Sequence, residues 1–254
     1  LIGAHPDDDA SSHGTLAMLQ ANGNDVYVML LTSGNVGTGD PTMSRDRLAK
    51  IRRQEEVDAL AELGIPESHY INLGYTDGML EFADKEEVVR RIVWWIRKLK
   101  PTTLMAFDPG YGYVQWHKTD HRTASYLAVD AARAAEWRLL FQGQIIDEGL
   151  EAHTITDYLF YGTTDNQANT FVDISDYAEN KVRSRSKYIS QFTSAFDNYT
   201  GPNPDDLPGN EGAEFMERMR RSVYERGAVD GVPTERFRYY KGNPDGAGSK
   251  RRGY

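Results

Sequence analysis

A chain of 254 residues has ample material for a core and fits one large α/β domain or two small ones. Its net charge of −9, from 29 basic and 38 acidic residues, argues against a nucleic-acid partner, which needs a basic face. With no cysteine it has no disulfide, thiolate metal site or cysteine nucleophile, and no apolar run reaches the roughly 18 residues of a membrane span.

The chain opens on Leu1-Ile2-Gly3-Ala4, short and apolar, which predicts the end of a buried strand. His5-Pro6-Asp7-Asp8-Asp9 follows. Proline cannot continue a central strand, so the histidine and three carboxylates fall on the loop leaving it. In an open α/β sheet that edge binds ligands. Adjacent aspartates repel unless something positive holds them, and a divalent metal held by His nitrogen and Asp oxygen would do so. The alternative is plain N-capping of the next helix.

Asp9 to Ala21 reads as that helix, stopped by Asn22-Gly23-Asn24, and Val26 to Thr32 as a second buried strand. The glycine-rich Ser33 to Thr42 leaves it on the same edge as His5, as a long connector or, less well since G-x-x-x-x-G-K-S/T is missing, as a phosphate-cradling loop. Ser44 to Leu63 is a long helix closed by Gly64 and Pro66. Arg52 and Glu55 lie with its apolar stripe of Leu48, Ile51, Ala59 and Leu63. Either they form a buried ion pair, or Arg52 reaches a substrate. His69 to Leu73 is a third strand, with Asp77 on its exit loop. Asp84 to Lys100 is an amphipathic helix, Thr103 to Phe107 a fourth strand, and Arg122 to Arg133 an alanine-rich helix.

This alternation predicts a Rossmann-like, doubly wound, mostly parallel sheet flanked by helices. A less regular C-terminal part follows Trp137, with strands at Thr156–Gly162 and Thr170–Ile174 and helices at Tyr177–Phe192 and Glu214–Arg226. No boundary divides the chain, so residues 1–254 are expected to form one domain, with 242–254 a loose tail.

The second His cluster is His117-Lys118-Thr119-Asp120-His121, after the fourth strand. A doubly wound sheet can bring it beside the first loop. His5, one of Asp7 or Asp8, and His121 would then supply three ligands, leaving the fourth position of a catalytic zinc open. The spare aspartate would act as general base. Otherwise His117 and His121 merely cap a helix and face solvent. His13, His69 and His153 lack carboxylate company and read as structural. Tyr111, Tyr113 and Trp116 lie near this cluster and suit stacking, but aromatic loops serve many ligands.

Ala4-His5-Pro6-Asp7-Asp8-Asp9 resembles the AHPDDE motif of the PIG-L/LmbE family of zinc-dependent de-N-acetylases. Gly14-Thr15-Leu16-Ala17 resembles its GGTLA, with His13 in place of the first glycine. Thr32-Ser33-Gly34-Asn35-Val36-Gly37, Arg52-Arg53-Gln54-Glu55 with Ala59 and Leu63-Gly64, Asp77-Gly78, Asp120-His121-Arg122 and the late Lys181…Ser190-Gln191 continue the likeness in order. The resemblance implies a Rossmann-like fold and hydrolysis of an N-acetyl group, typically on glucosamine. It implies His5, Asp8 and His121 as zinc ligands and Asp7 as base, with Arg52 and Asp77 contacting substrate. Asp120 would orient the residue that stabilises the oxyanion. The family's histidine for that duty falls at Lys118, and His117 lies one residue earlier; His117 is preferred, because Asp120 then keeps an imidazole to orient. The final Glu of the motif is Asp9 here.

The expected function is thus metal-dependent removal of acetate from an N-acetylglucosamine-type sugar or conjugate. The same chemistry on another N-acyl compound is the alternative. A nucleotide-binding Rossmann module lacks its G-x-G-x-x-G, and a noncatalytic metal protein would need no Asp7. The oligomeric state stays open, a homo-oligomer included. The chain begins inside a strand, so the natural chain is expected to start earlier and any signal segment to be lost with that part; the compartment stays open, with the cytoplasm slightly favoured.

Overall fold

The structure, a computed structural model, describes residues 1–110, 119–192 and 203–242. Among the described residues eight strands share one sheet in the order β3-β2-β1-β4-β5-β8-β6, with the short β7 paired to β8. These are β1 (Ile2–Gly3), β2 (Val28–Thr32), β3 (Tyr70–Tyr75), β4 (Thr103–Phe107), β5 (Asp157–Tyr161), β6 (Thr170–Asp173), β7 (Ala228–Val229) and β8 (Val232–Lys241). The first five run parallel: Ile2 pairs with Met29 on one side and Ala106 on the other. Both β1 and β2 are buried throughout, which is why they read as continuous apolar runs.

Helices α1 (His13–Ala21), α2 (Arg45–Ala61), α3 (Lys85–Leu99) and α4 (Thr119–Ala135) follow β1, β2, β3 and β4 in turn. Their starts obey local chemistry. Ser44 accepts the N–H of Arg47 at 3.2 Å, and Asp84 accepts those of Glu86 and Glu87. Before α1 the chain makes a tight 3₁₀ turn over Asp8–Ser12, so the helix starts later than its sequence suggested. Among the described residues no helix is long and apolar enough to cross a membrane.

The winding reverses at β1, which sits between β2 and β4. The crevice at the carboxyl ends of β1 and β4 is therefore the topological switch point.

The C-terminal part departs from expectation in three ways. Tyr177–Phe192 is two helices, α6 (Ala178–Arg185) and α7 (Ile189–Phe192), and a short α5 (Gln142–Ile146) precedes them. The last helix, α8 (Glu211–Arg221), ends in a π turn over Ser222–Arg226. Above all, β8 enters the main sheet antiparallel to β5, with Leu159 opposite Tyr239. A second apolar cluster, including Ile174, Val182, Phe215, Met219 and Val223, packs α6 and α8 together.

Candidate active site

The loop leaving β1 turns sharply because Asp7 adopts a left-handed conformation, φ 100°. Asp8 folds back under it: its Oδ2 accepts the backbone N–H groups of Ala4 at 2.9 Å and His5 at 2.7 Å. Its Oδ1 faces His121 Nε2 at 3.0 Å, at the start of α4. His5 Nδ1 lies 3.2 Å from the same His121 nitrogen and 3.4 Å from Asp8. The sequence-predicted ligand atoms of His5, Asp8 and His121 thus all lie within 4.8 Å of one another. Phe107 stacks on His121, ring centroids 4.3 Å apart, and fixes the ring.

Two imidazole nitrogens and a carboxylate oxygen aimed at one point suit a divalent cation, and suit little else but a shared proton. The electrostatics agree. Burial opposes a charge on His5, yet Asp8 and the hydrogen bonds of Asp120, Asp77 and Asp8 outweigh it and push its pKa up to about 12. Burial likewise opposes Asp8's charge, but His5 and His121 hold its carboxyl well below the usual range. The cluster demands positive charge.

The other nitrogen, His5 Nε2, lies 3.2 Å from Asp120 Oδ2 and 3.0 Å from Asp77 Oδ1. Asp120 is itself fixed by the N–H groups of Gly78 at 2.7 Å and Leu80 at 3.1 Å. A carboxylate behind a histidine sets which nitrogen faces a metal. Asp120 therefore orients His5 here, a contact that the sequence did not anticipate. His117 and Lys118, its expected partners, lie outside the described residues, as do Tyr111, Tyr113 and Trp116.

Asp7 completes the cluster and lines a cavity of about 570 Å³ with His5, Asp8, Arg52, Asp77 and His121. Burial and the charge of Asp8 raise the Asp7 pKa well above its usual value. Arg52 is buried but does not simply reach out. Its Nη1 donates to the Gly34 carbonyl, and its Nη2 to Gly37 at 2.7 Å and Gln191 Oε1 at 2.9 Å. Gly34 holds φ 60°, and a Cβ there would meet Pro6 at 2.9 Å, so the loop needs glycine. Glu55 spends its oxygens elsewhere, accepting the N–H and hydroxyl of Ser190 at 2.7 and 2.6 Å. The two charges share a face while bonding different partners. Asp77 Oδ2 accepts from Val36 and Gly37 and lies 3.9 Å from Arg52.

Arg52 is thus both cavity wall and loop clamp. Arg52→Lys keeps the charge but cannot fork to three acceptors. It is expected to raise KM and to cost about 1–3 kcal/mol of stability, the range for buried acceptors left unpaired. Paired KM and melting measurements check it; an unchanged KM would leave Arg52 a structural clamp alone.

His13 corrects the expectation that it lacked carboxylate company. Fully buried, its Nε2 lies 2.8 Å from Asp9 Oδ2, and its Nδ1 lies 2.6 Å from Ser184 Oγ. Tyr188 donates to Glu56 Oε2 at 3.1 Å, and the same oxygen accepts the Asp7 N–H at 3.3 Å. The two departures from the family motif, Asp9 for Glu and His13 for Gly, are therefore one substitution in space. A shorter acid is met by a larger partner. His13→Gly alone is expected to cost about 1–3 kcal/mol by stranding the buried Asp9 carboxylate, and Asp9→Glu alone about as much by forcing a methylene into a filled site. The double change should recover part of that loss in a melting experiment; simple additivity would show the two sites to be uncoupled.

Two further contacts come from β8. Glu235 is buried and accepts the N–H groups of Gly14 and Thr15, each at 2.8 Å, so it caps α1 from across the fold. Lys181 Nζ neutralises it at 2.5 Å. Arg238 pairs with the buried Asp108 where the chain leaves β4. His69 and His153 remain structural, held at Val26 and Pro101 carbonyls.

A doubly wound sheet with a His/Asp cluster and a spare aspartate at its switch point defines a Rossmann-like hydrolase with a candidate metal centre. The chain belongs to the PIG-L family, described as GlcNAc-PI de-N-acetylase, which matches residues 1–132. It is 37% identical over 192 residues to a diacetylchitobiose deacetylase of Thermococcus kodakarensis, covering 75% of this chain and 68% of that one. It is 28% identical to 1D-myo-inositol 2-acetamido-2-deoxy-alpha-D-glucopyranoside deacetylase 1 of Catenulispora acidiphila, covering 92% and 85%. The fold matches N,N'-diacetylchitobiose deacetylase from Pyrococcus horikoshii with a TM-score of 0.74 at 27% identity, covering 94% of this chain and 82% of that one.

Proposed function

We propose that the chain removes acetate from an N-acetylglucosamine-type sugar or its conjugate, using zinc held by His5, Asp8 and His121. The carrying observation is the convergence of those three donors with Asp7 in one cavity. The deacetylase relatives support the substrate class. When bound, the metal lowers the pKa of water and polarises the amide carbonyl.

The chain's own groups do the rest. Asp7 accepts a proton from water as its oxygen bonds to the amide carbon. Asp7 then returns the proton to nitrogen as the C–N bond breaks, leaving acetate and a free amine. Asp120 keeps His5 aimed through Nε2. Asp77 and Arg52, on the cavity wall, meet the sugar hydroxyls, and His117 or Lys118 supplies the positive donor for the oxyanion. Zinc analysis combined with acetate release from N,N'-diacetylchitobiose and methyl N-acetylglucosaminide tests this reading. Zinc-loaded protein that releases no acetate from either would overturn it.

A further inference from the structure

Beside the catalytic cavity lies a second one of about 310 Å³, walled by Lys181, Arg185, Ser222, Arg226, Gly227 and Thr234. Arg185 lines both cavities, so the two adjoin. The charges there are unequally matched. Lys181 is spent on Glu235 and the Ser11 carbonyl. Glu235 is in turn filled by Lys181 and the start of α1. Arg185 Nη1 donates to the Ser222 hydroxyl at 2.9 Å, and among the described residues neither Arg185 nor Arg226 has a carboxylate in ion-pair range. They are near enough to feel one another: burial lowers the Arg185 pKa, Asp7 opposes, and Arg226 adds to the lowering.

Asp7 and Glu235 act on Arg185 only from beyond ion-pair distance, so two guanidinium groups face one cavity with no carboxylate paired to either among the described residues. Arg226 closes the π turn Ser222–Arg226, a conformation frequent at functional sites, and Arg185 ends α6. Guanidinium forks match the oxygens of a phosphate.

We propose that this cavity is a phosphate subsite, and that the amino-sugar substrate carries a phosphate ester reaching into it from the catalytic cavity. The inference rests on the hydrolase reading above. The sugar sits over the metal centre, Arg185 stands at the junction, and Arg226 holds the far side of the phosphate.

The zinc-loaded full chain tests it with N-acetylglucosamine 1-phosphate against methyl N-acetylglucosaminide. Arg226 is exposed and outside the catalytic cavity, so Arg226→Glu is expected to fold and to keep its KM for the neutral glycoside. Its KM for the phosphate should rise at least about tenfold, from the loss of one charge-assisted hydrogen bond and the repulsion of the new carboxylate. Equal KM changes for both sugars, or none, would overturn the subsite while leaving the deacetylase intact. Failure of both sugars to release acetate would sink the deacetylase reading instead. Inorganic phosphate then decides the subsite: it should raise the melting temperature of the unmodified chain but not of Arg226→Glu, and equal shifts overturn it.

Discussion

His121→Ala is expected to strip the metal from the chain and with it the activity. His121 Nε2 faces Asp8 at 3.0 Å and His5 at 3.2 Å, so it closes the donor triangle. Its removal leaves two ligands, one fewer than a catalytic zinc site keeps. Losing merely an outer partner of a ligand costs about 10–100-fold in metal affinity or activity, and losing a ligand should exceed that. The fold should survive. His121 sits in the first turn of α4, which buries its alanines whatever stands at 121. Elemental analysis after dialysis against zinc, alongside a melting curve, checks both halves. Undiminished zinc would remove His121 from the ligand set.

The first half of the chain was legible because its signals are local. Val28–Thr32 is buried throughout and residues 104–107 are buried after a half-buried Thr103, and no polar residue interrupts either apolar run. Proline at 6 placed the acidic cluster on a loop, and the parallel winding then brought His121 to His5 across 116 positions. What escaped was held by distant pairing. In β8 every second residue from Pro233 to Phe237 is buried, the period of a strand. Yet one inward residue is Glu235, and a charge there disguises the core face. Its reason lies 221 residues away, at the N–H of Gly14. His13 did carry a local signal, the i,i+4 spacing from Asp9 that puts both on one helical face. Arg52 is buried, as its place on the apolar stripe predicts, but its three acceptors come from a glycine-rich loop and from Gln191, which no periodicity predicts.

Asp7→Asn is expected to keep the metal and lose about 10²–10⁴-fold in kcat, the usual worth of a positioned general base. The substitution is nearly isosteric, and asparagine tolerates the left-handed conformation that position 7 requires. The backbone N–H of residue 7 can still donate to Glu56. Asp8 keeps its bonds to Ala4 and His5, so the ligand triangle should stand. Only the proton acceptor is lost, because an amide cannot take a proton from water. Stability separates this from a structural effect. Burial and the neighbouring charges of Asp8 and Asp9 all oppose a charge on Asp7, while His5 and Arg52 favour it. Removing that charge should therefore leave the melting temperature unchanged or raise it. A slow enzyme with full zinc, unchanged KM and an undiminished melting temperature would isolate the chemical step. Near-native kcat would instead assign the proton transfer to another group, and the cavity offers Asp77 as the next carboxylate to substitute.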